Sequence, residues 1–280
     1  MITTQINNFP FADLTLSQRL EKVEAISNVE FVETRAKLFP ESKACWKNIA
    51  GTYAMFDGVK SPLTQTFGLG IFQPITESEL IEIEDFYKQF QAPVFHEVSP
   101  LVDAETTKLL NQRKYQPIEF TNVMFRPLQI NENNKHSEKI NVRIVQENEH
   151  DLWANTAAKG WSEFLEYADF MLEISQISAK RKNVLSFLAE IDNKAVATGA
   201  LSICDGVALL AGASTIPDAR KQGAQLALLN ARLNYAVKAG CNLAMMCALA
   251  GSASQKNAER QGFRIAYTRI KWQLVDKNSG

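Results

Sequence analysis

Hydrophobic positions recur along the chain with two periods, in a fixed order. In the later half, residues 187–191, 195–203 and 207–214 read as strands. Asp192-Asn193-Lys194 turns the first into the second, and Asp205-Gly206 between the second and third is a strong two-residue hairpin signal. Residues 207–214 are almost continuously apolar, which suits a central strand covered on both faces. The period then lengthens. Over 224–239, Leu226, Leu229, Leu233 and Ala236/Val237 share one helical face, with Arg232, Asn234 and Lys238 elsewhere, and Gly240 closes the helix. A buried strand at 243–248, a short helix at 252–261 and a last strand at 265–274 follow. Ahead of this run, 142–145 predicts a short strand, and His150-Asp151-Leu152-Trp153 starts a helix running toward Gly160-Trp161.

The earlier half repeats the later part of that order. It predicts a helix over 77–90 with Leu80, Ile83, Tyr87 and Phe90 on one face, a strand at 93–98, a helix at 103–113 and a strand at 118–125. The junctions match as well, since Gln112-Arg113-Lys114-Tyr115 stands where Arg260-Gln261-Gly262-Phe263 stands later. A diverged internal duplication accounts for this, and two unrelated α/β halves are the alternative. Between the halves, Gln129 to Lys139 is polar and follows Pro127. We read a linker at 129–140, joining a domain at 1–128 to one at 141–280. The expected fold class is α/β in the mixed α+β sense, with two domains, each a twisted mixed sheet flanked by helices.

Composition narrows the function classes. The 280 residues carry 30 Lys+Arg against 31 Asp+Glu, which gives no electrostatic reason to expect nucleic acid or an anionic membrane as partner. No run approaches the ~18–20 apolar residues that span a bilayer. The first residues show neither the basic start nor the apolar core of a secretory signal. Cys45, Cys204, Cys241 and Cys247 form no Cys-x-x-Cys pair, so a reduced, cytoplasmic setting is expected. His96, His136 and His150 are scattered, so no metal is expected. Monomer and homodimer both remain open.

The chemistry concentrates in Ala213-Ser214-Thr215-Ile216-Pro217-Asp218-Ala219-Arg220-Lys221-Gln222-Gly223-Ala224-Gln225-Leu226. A buried strand ends, Pro217 breaks it, and a basic loop with one glycine opens a long helix. The first turn of a helix presents unpaired N–H groups and partial positive charge, which suit phosphate. Gly223 lets an oxygen approach the backbone, and Arg220 and Lys221 add charge at the rim. An ordinary strand-turn-helix with exposed basic residues is the plain alternative. In its surroundings, Arg-x-x-Gly-x-x-Leu resembles the GNAT superfamily of acyl-CoA N-acyltransferases. The family loop usually reads Gln/Arg-x-x-Gly-x-Gly/Ala, and here Gln225 stands at the last, normally small, position. The segment Ser254-x-x-Asn257-x-Glu259-Arg260-x-Gly262-Phe263 is similar to the family's cofactor-side helix. The first half resembles a degenerate second copy, as in tandem members.

The resemblance implies acetyl-CoA as co-substrate, with its pyrophosphate on the N–H groups of Lys221, Gln222, Gly223, Ala224 and Gln225, beside Arg220. Its pantetheine arm would lie along Ser214, Thr215 and Ile216, and Ser254 and Asn257 of the cofactor-side helix would also bind it. The implied reaction is direct attack of an amine, from a small molecule or a peptide, on the thioester. Many members keep a tyrosine on the helix before Gly-Phe as acid; counted back from Gly262 that position is Ala258. Tyr267 and Ser252 are candidate substitutes, and Glu163 a candidate near the acceptor. A strand tyrosine and a solvated loop charge are the plain readings of Tyr267 and Glu163. The corresponding loop of the first half, Pro74-Ile75-Thr76-Glu77-Ser78-Glu79, contains a capping box that fills the helix start with its own side chains, so no cofactor is expected there. A non-catalytic acyl-CoA-binding or regulatory protein is the alternative to an enzyme.

Overall fold

A computed structural model describes residues 9–129, 139–163, 166 and 168–275. Residues 130–138 of the expected linker, with His136, lie outside the described residues, as does the N-terminal segment 1–8. The helices are α1 (Leu14–Leu38), α2 (Glu77–Lys88), α3 (Ala104–Gln112), α4 (His150–Lys159), α5 (Ala168–Ala179), α6 (Ala224–Lys238) and α7 (Ala253–Arg260). The strands are β1 (Cys45–Ile49), β2 (Thr52–Phe56), β3 (Gln65–Phe67), β4 (Phe95–Val98), β5 (Tyr115–Pro127), β6 (Asn141–Ile144), β7 (Val184–Ile191), β8 (Lys194–Cys204), β9 (Val207–Thr215), β10 (Leu243–Leu249) and β11 (Arg264–Leu274). The predicted elements form where the periodicity put them, and Asp205 and Gly206 make their turn at φ of 47° and 72°, as a primed hairpin turn requires.

Among the described residues all strands join one sheet of eleven, in the order β1-β2-β3-β4-β11-β5-β10-β9-β8-β7-β6. This order has a two-fold sense centred between β11 and β5. Antiparallel β1, β2 and β3 lead to a parallel β3/β4 pair, with α2 in the crossover. Antiparallel β7, β8 and β9 lead to a parallel β9/β10 pair, with α6 in the crossover. The last strands are exchanged: β11 lies against β4 of the other half, and β5 against β10. The rhyming junctions are conformationally alike, with Lys114 and Gly262 each left-handed at φ of 69° and 81° after their helices.

The cores follow this exchange. One is built from β7 to β10 and α6 but includes Met124 of β5, and another from β1, β2, α2 and β4 but includes Trp272 of β11. A third is shared, with Leu16, Leu20 and Val23 of α1 packed on Val207, Leu209, Met245 and Tyr267. Helix α1 also presents Ala25, Val29 and Val32 to Met55 and Phe67. It serves two cores along its length and so has no single apolar stripe.

In α6 the buried face differs from the expected one. Ala224, Leu228, Arg232, Leu233 and Ala236 are buried, while Leu226 is 45 % exposed. Leu226 and Leu229 instead line a cleft, so two leucines of the helix are apolar without both being core.

Candidate active site

Strands β9 and β10 pair in parallel over only three residue pairs, Val207/Leu243 to Leu209/Met245. Beyond Leu209 they diverge. A bulge drives the divergence: Gly212 and Ala213 of β9 stand opposite the single residue Gly199 of β8, between the pairs Thr198/Ser214 and Ala200/Ala211. Gly212 takes φ of +58°, a backbone shape that glycine adopts readily. A cleft of about 960 Å³ opens there, walled by the end of β9, the start of α6, α7 and the segment after α4.

The loop into α6 is built for an open helix end. After β9, Pro217–Ala219 form one 3-10 turn, closed by Arg220 N–H donating to Pro217 O at 3.1 Å. Lys221 and Gly223 are left-handed, and Gly223 is the N-cap at φ of +93°. It offers no side-chain cap, and the first turn carries no acidic residue. The starts of α1, α2, α3 and α7 are all filled, by Asp13, Thr76, Asp103 and Ser252. The open N–H groups and the partial positive charge of α6 therefore face the cleft mouth. Gln225, at the normally small position, folds onto the strand, its Nε2 donating to Ser214 O at 2.9 Å and Thr215 Oγ1 at 2.6 Å. It lies along the end of β9 and ties the helix start to it.

Residues 147–263 match the model of the acetyltransferase (GNAT) family. Those residues are similar to a GNAT acetyltransferase domain. The fold of the whole chain is similar to a GCN5-related N-acetyltransferase from Kribbella flavida, with a TM-score of 0.61 and 16 % identity over 90 % of this chain and 97 % of that one. It is also similar to a tandem GNAT protein from the clavulanic acid biosynthesis pathway, with a TM-score of 0.57 and 8 % identity over 81 % and 79 % of the two chains. A GCN5-related N-acetyltransferase from Sphaerobacter thermophilus aligns at 0.55 and 15 % identity over 76 % and 72 %. At these identities the likeness is one of fold. No curated protein matches the chain in sequence.

Within residues 147–263, the cleft brings together Ser214, Thr215, Arg220, Lys221, Gly223, Ala224, Gln225, Ser254 and Asn257, with Glu163 at its edge. Ile216 and Gln222 do not line it; Ile216 continues the strand by donating to Val196 O, and Gln222 Nε2 returns to Asp218 O. Ser214 Oγ donates to Ala157 O at 2.8 Å and is thereby engaged with α4. Arg220 does not point freely at the helix start. Its Nη1 pairs with Glu163 and its Nη2 donates to Gly160 O at 3.0 Å, closing the rim of the cleft.

The other acid and base candidates lie elsewhere. Ser252 Oγ caps α7 by accepting from Gln255 N–H at 3.2 Å. Tyr267 is buried on the opposite face of the sheet, where its hydroxyl donates to Glu21 Oε1 at 2.9 Å. Burial, with the neighbouring Glu21 carboxylate, pushes that phenol well above its ordinary pKa. Glu21 shares the site with Arg269, which also bonds Glu24 and Glu97. Burial raises Glu21 to about 7 against the pull of Arg269. Ala258 is buried and lines the cleft, so the position of the family tyrosine is at the site but without a hydroxyl. Sequence reasoning missed Trp161, Leu210, Arg232 and Met246 of the lining. Arg232 reads as an ordinary polar-face residue, and its partners across the sheet come from the bulge opposite it.

Proposed function

We propose that the protein is an acetyl-CoA-dependent N-acetyltransferase in which one cleft, that of residues 141–280, holds the cofactor and residues 1–128 form a degenerate copy joined by 129–140. The observation that carries this reading is the uncapped first turn of α6 opening into the space between the diverging β9 and β10. The cofactor's pyrophosphate sits on the N–H groups following Lys221, and Gly223 keeps a side chain out of its way. The pantetheine arm runs along β9 near Ser214 and Thr215, against Ser254 and Asn257 of α7. Its thioester carbon is then attacked directly by an acceptor amine of a small molecule or peptide. The carbon–nitrogen bond forms, the carbon–sulfur bond breaks, and the amine proton passes to solvent while the thiolate leaves. Rate enhancement comes from positioning the two reactants and from backbone N–H groups aimed at the developing oxyanion.

With Ala258 at the tyrosine position, and with the Tyr267 and Ser252 hydroxyls engaged elsewhere, no side-chain acid is needed or assigned. The same observation favours a second reading, an acyl-CoA-binding protein without turnover. Calorimetric titration of CoA into the full chain, followed by thiol release from acetyl-CoA across an amine panel, separates the two. Absence of CoA binding refutes both; binding without thiol release supports the second.

A further inference from the structure

Arg232 is a charged side chain only 3 % exposed, and it borders the cleft. It projects from α6 toward the bulge that opens the site. Its Nε donates to Leu228 O at 3.2 Å, and its Nη1 donates to Ala200 O at 3.2 Å and Ala211 O at 3.3 Å, the carbonyls flanking the bulge. Gly199 makes room for it: a Cβ at that position would lie 2.9 Å from Arg232 Cζ. The chain thus places the guanidinium here deliberately, with backbone holding one side of it.

The charge has no counterpart. Arg35 and Arg269, similarly buried, hold carboxylates, Asp57 and Glu173 for one and Glu21, Glu24 and Glu97 for the other. Arg181 rests near Glu30. Arg232 forms no ion pair among the described residues, and its Nη2 makes no hydrogen bond with them. Arg232 is part of the cleft lining, and Nη2 is the guanidinium nitrogen left over for a ligand there. Burial lowers the group to about 10, so it remains protonated at neutral pH. A buried, unneutralised cation is costly unless an anion arrives to pair with it.

Its position identifies the kind of anion. Arg232 lies eight residues beyond Ala224, about 12 Å along the helix axis from the open first turn. A cofactor seated by its pyrophosphate on that turn runs its arm along this cleft toward Arg232, and the lining also includes the apolar Leu210, Leu229 and Met246. One spare guanidinium nitrogen suits a carboxylate; a phosphate needs more donors than Arg232 has left.

We propose that Arg232 makes its part of the cleft a carboxylate-recognition site, so that the group handled beside the thioester carries a carboxylate. The inference rests on the acyl-CoA reading above. The carboxylate belongs either to the acyl chain, as in a malonyl or succinyl thioester, or to the acceptor, as in an amino acid, and the shared chemistry is the charge-assisted hydrogen bond to Nη2.

The test uses the full chain and calorimetry in two series. The first compares acetyl-CoA with malonyl-CoA and succinyl-CoA. The second, at saturating CoA, compares amino acids with their amides. We expect one series to favour the carboxylate by about 10- to 100-fold, the range of a hydrogen bond to a charged group. The series that does so names the source. In Arg232→Gln the ratio falls to within about threefold of unity, and because it is a ratio, a general weakening of binding cancels. Should that variant not fold, Gly199→Ala displaces the guanidinium while keeping the charge, and it should reduce the ratio too. Ratios within threefold of unity in both series for the wild type overturn the proposal while leaving the acyl-CoA reading standing. Failure of CoA itself to bind overturns both.

Discussion

Glu163→Gln is expected to tighten CoA binding and leave chemistry in place. In the open cleft the Arg220 guanidinium is held by Glu163, by Gly160 O at 3.0 Å and by Thr215 O at 3.4 Å. A pyrophosphate arriving on the first turn of α6 competes with the Glu163 carboxylate for that guanidinium and is repelled by its charge. The two side chains are 41 % and 53 % exposed, so their pairing is worth only about 0.2–1 kcal/mol. Removing the competitor returns no more than that, a fall in the CoA dissociation constant of about 1.4- to 5-fold. The amide keeps the shape of the side chain and a hydrogen bond to Arg220, so the rim is not rebuilt. Calorimetry at low and high salt is the assay, and the gain should shrink as salt screens the repulsion. If Glu163 were instead the base that prepares the acceptor, the same variant would lose about 10²- to 10⁴-fold in maximal rate. Such a loss, with CoA affinity unchanged or weakened, refutes the reasoning.

Gly223→Val should weaken CoA binding by about 10-fold or more, since it removes charge-assisted hydrogen bonds worth ~1.5–3 kcal/mol each, whereas Lys221→Ala, at an exposed point charge, should cost less than about 5-fold. Among the described residues, and apart from its chain neighbours, a Cβ at 223 would meet Ile140 Cδ1 alone, at 3.6 Å, so unchanged affinity in a folded Gly223→Val protein would remove the phosphate from this loop. Tyr267→Phe should lower stability by roughly 1–2 kcal/mol through the lost hydrogen bond to Glu21 and change the maximal rate by less than about 10-fold; a ~10³-fold loss would make Tyr267 the acid. His96 is enclosed, with Nδ1 on Thr66 Oγ1 at 2.8 Å and Nε2 without a partner, and burial lowers it to about 3. A depressed histidine gives stability above its unfolded value near 6.5 that is lost as pH falls toward the folded one, roughly 3 kcal/mol by about pH 4.5; denaturant melts of wild type and His96→Phe should diverge over that window, and parallel curves would mean His96 is already charged. A fragment of residues 141–280 lacks β5, the strand between β10 and β11, so it should show no cooperative thermal transition; a sharp melt with native-like helix content would refute the dependence.

The elements around the cleft were legible because each follows one rule. Strand β9 is apolar on both faces, Gly223 and Gly240 punctuate α6, and Thr76 with Glu79 announces the start of α2, where the capping box forms as the spacing requires. Helix α1 was not legible. Its buried set includes Ser17, Glu21, Ser27 and Arg35 beside Leu20 and Val32, so no single stripe marks it. Nor was the exchange of β5 and β11, because a strand's own pattern says which face is covered and nothing about which neighbour it pairs with. Arg232 was hidden for a related reason. An arginine in a helix reads as solvated surface, and its burial depends on Gly199 of a strand more than thirty positions earlier in the chain. Leu226 and Leu229 erred in the opposite sense, since cleft walls and cores draw on the same residues.

The pseudo-symmetric sheet puts α2 and α6 in equivalent crossovers, and their N-caps give them opposite electrostatics. At α6, Gly223 leaves the first turn open. At α2, Thr76 and Glu79 satisfy the helix start reciprocally, and Glu77 and Glu79 place negative charge where an anion would have to lie. The first half nevertheless bears on the cleft through the sheet. The divergence of β9 and β10 leaves each strand short of one neighbour, and partners outside the pair must hold both in place. On one side β8 holds β9 through the bulged ladder; on the other β5, a strand of the first half, holds β10 along seven residue pairs. Helix α1 then packs Leu20 and Val23 across Val207, Leu209 and Met245, at the vertex where the two strands part. A parallel pair held over only three residue pairs would otherwise be free to close or fray. The opening into which α6 presents its N–H groups is therefore fixed from both halves, which gives a half whose own equivalent helix start is filled a physical reason to stay in the chain.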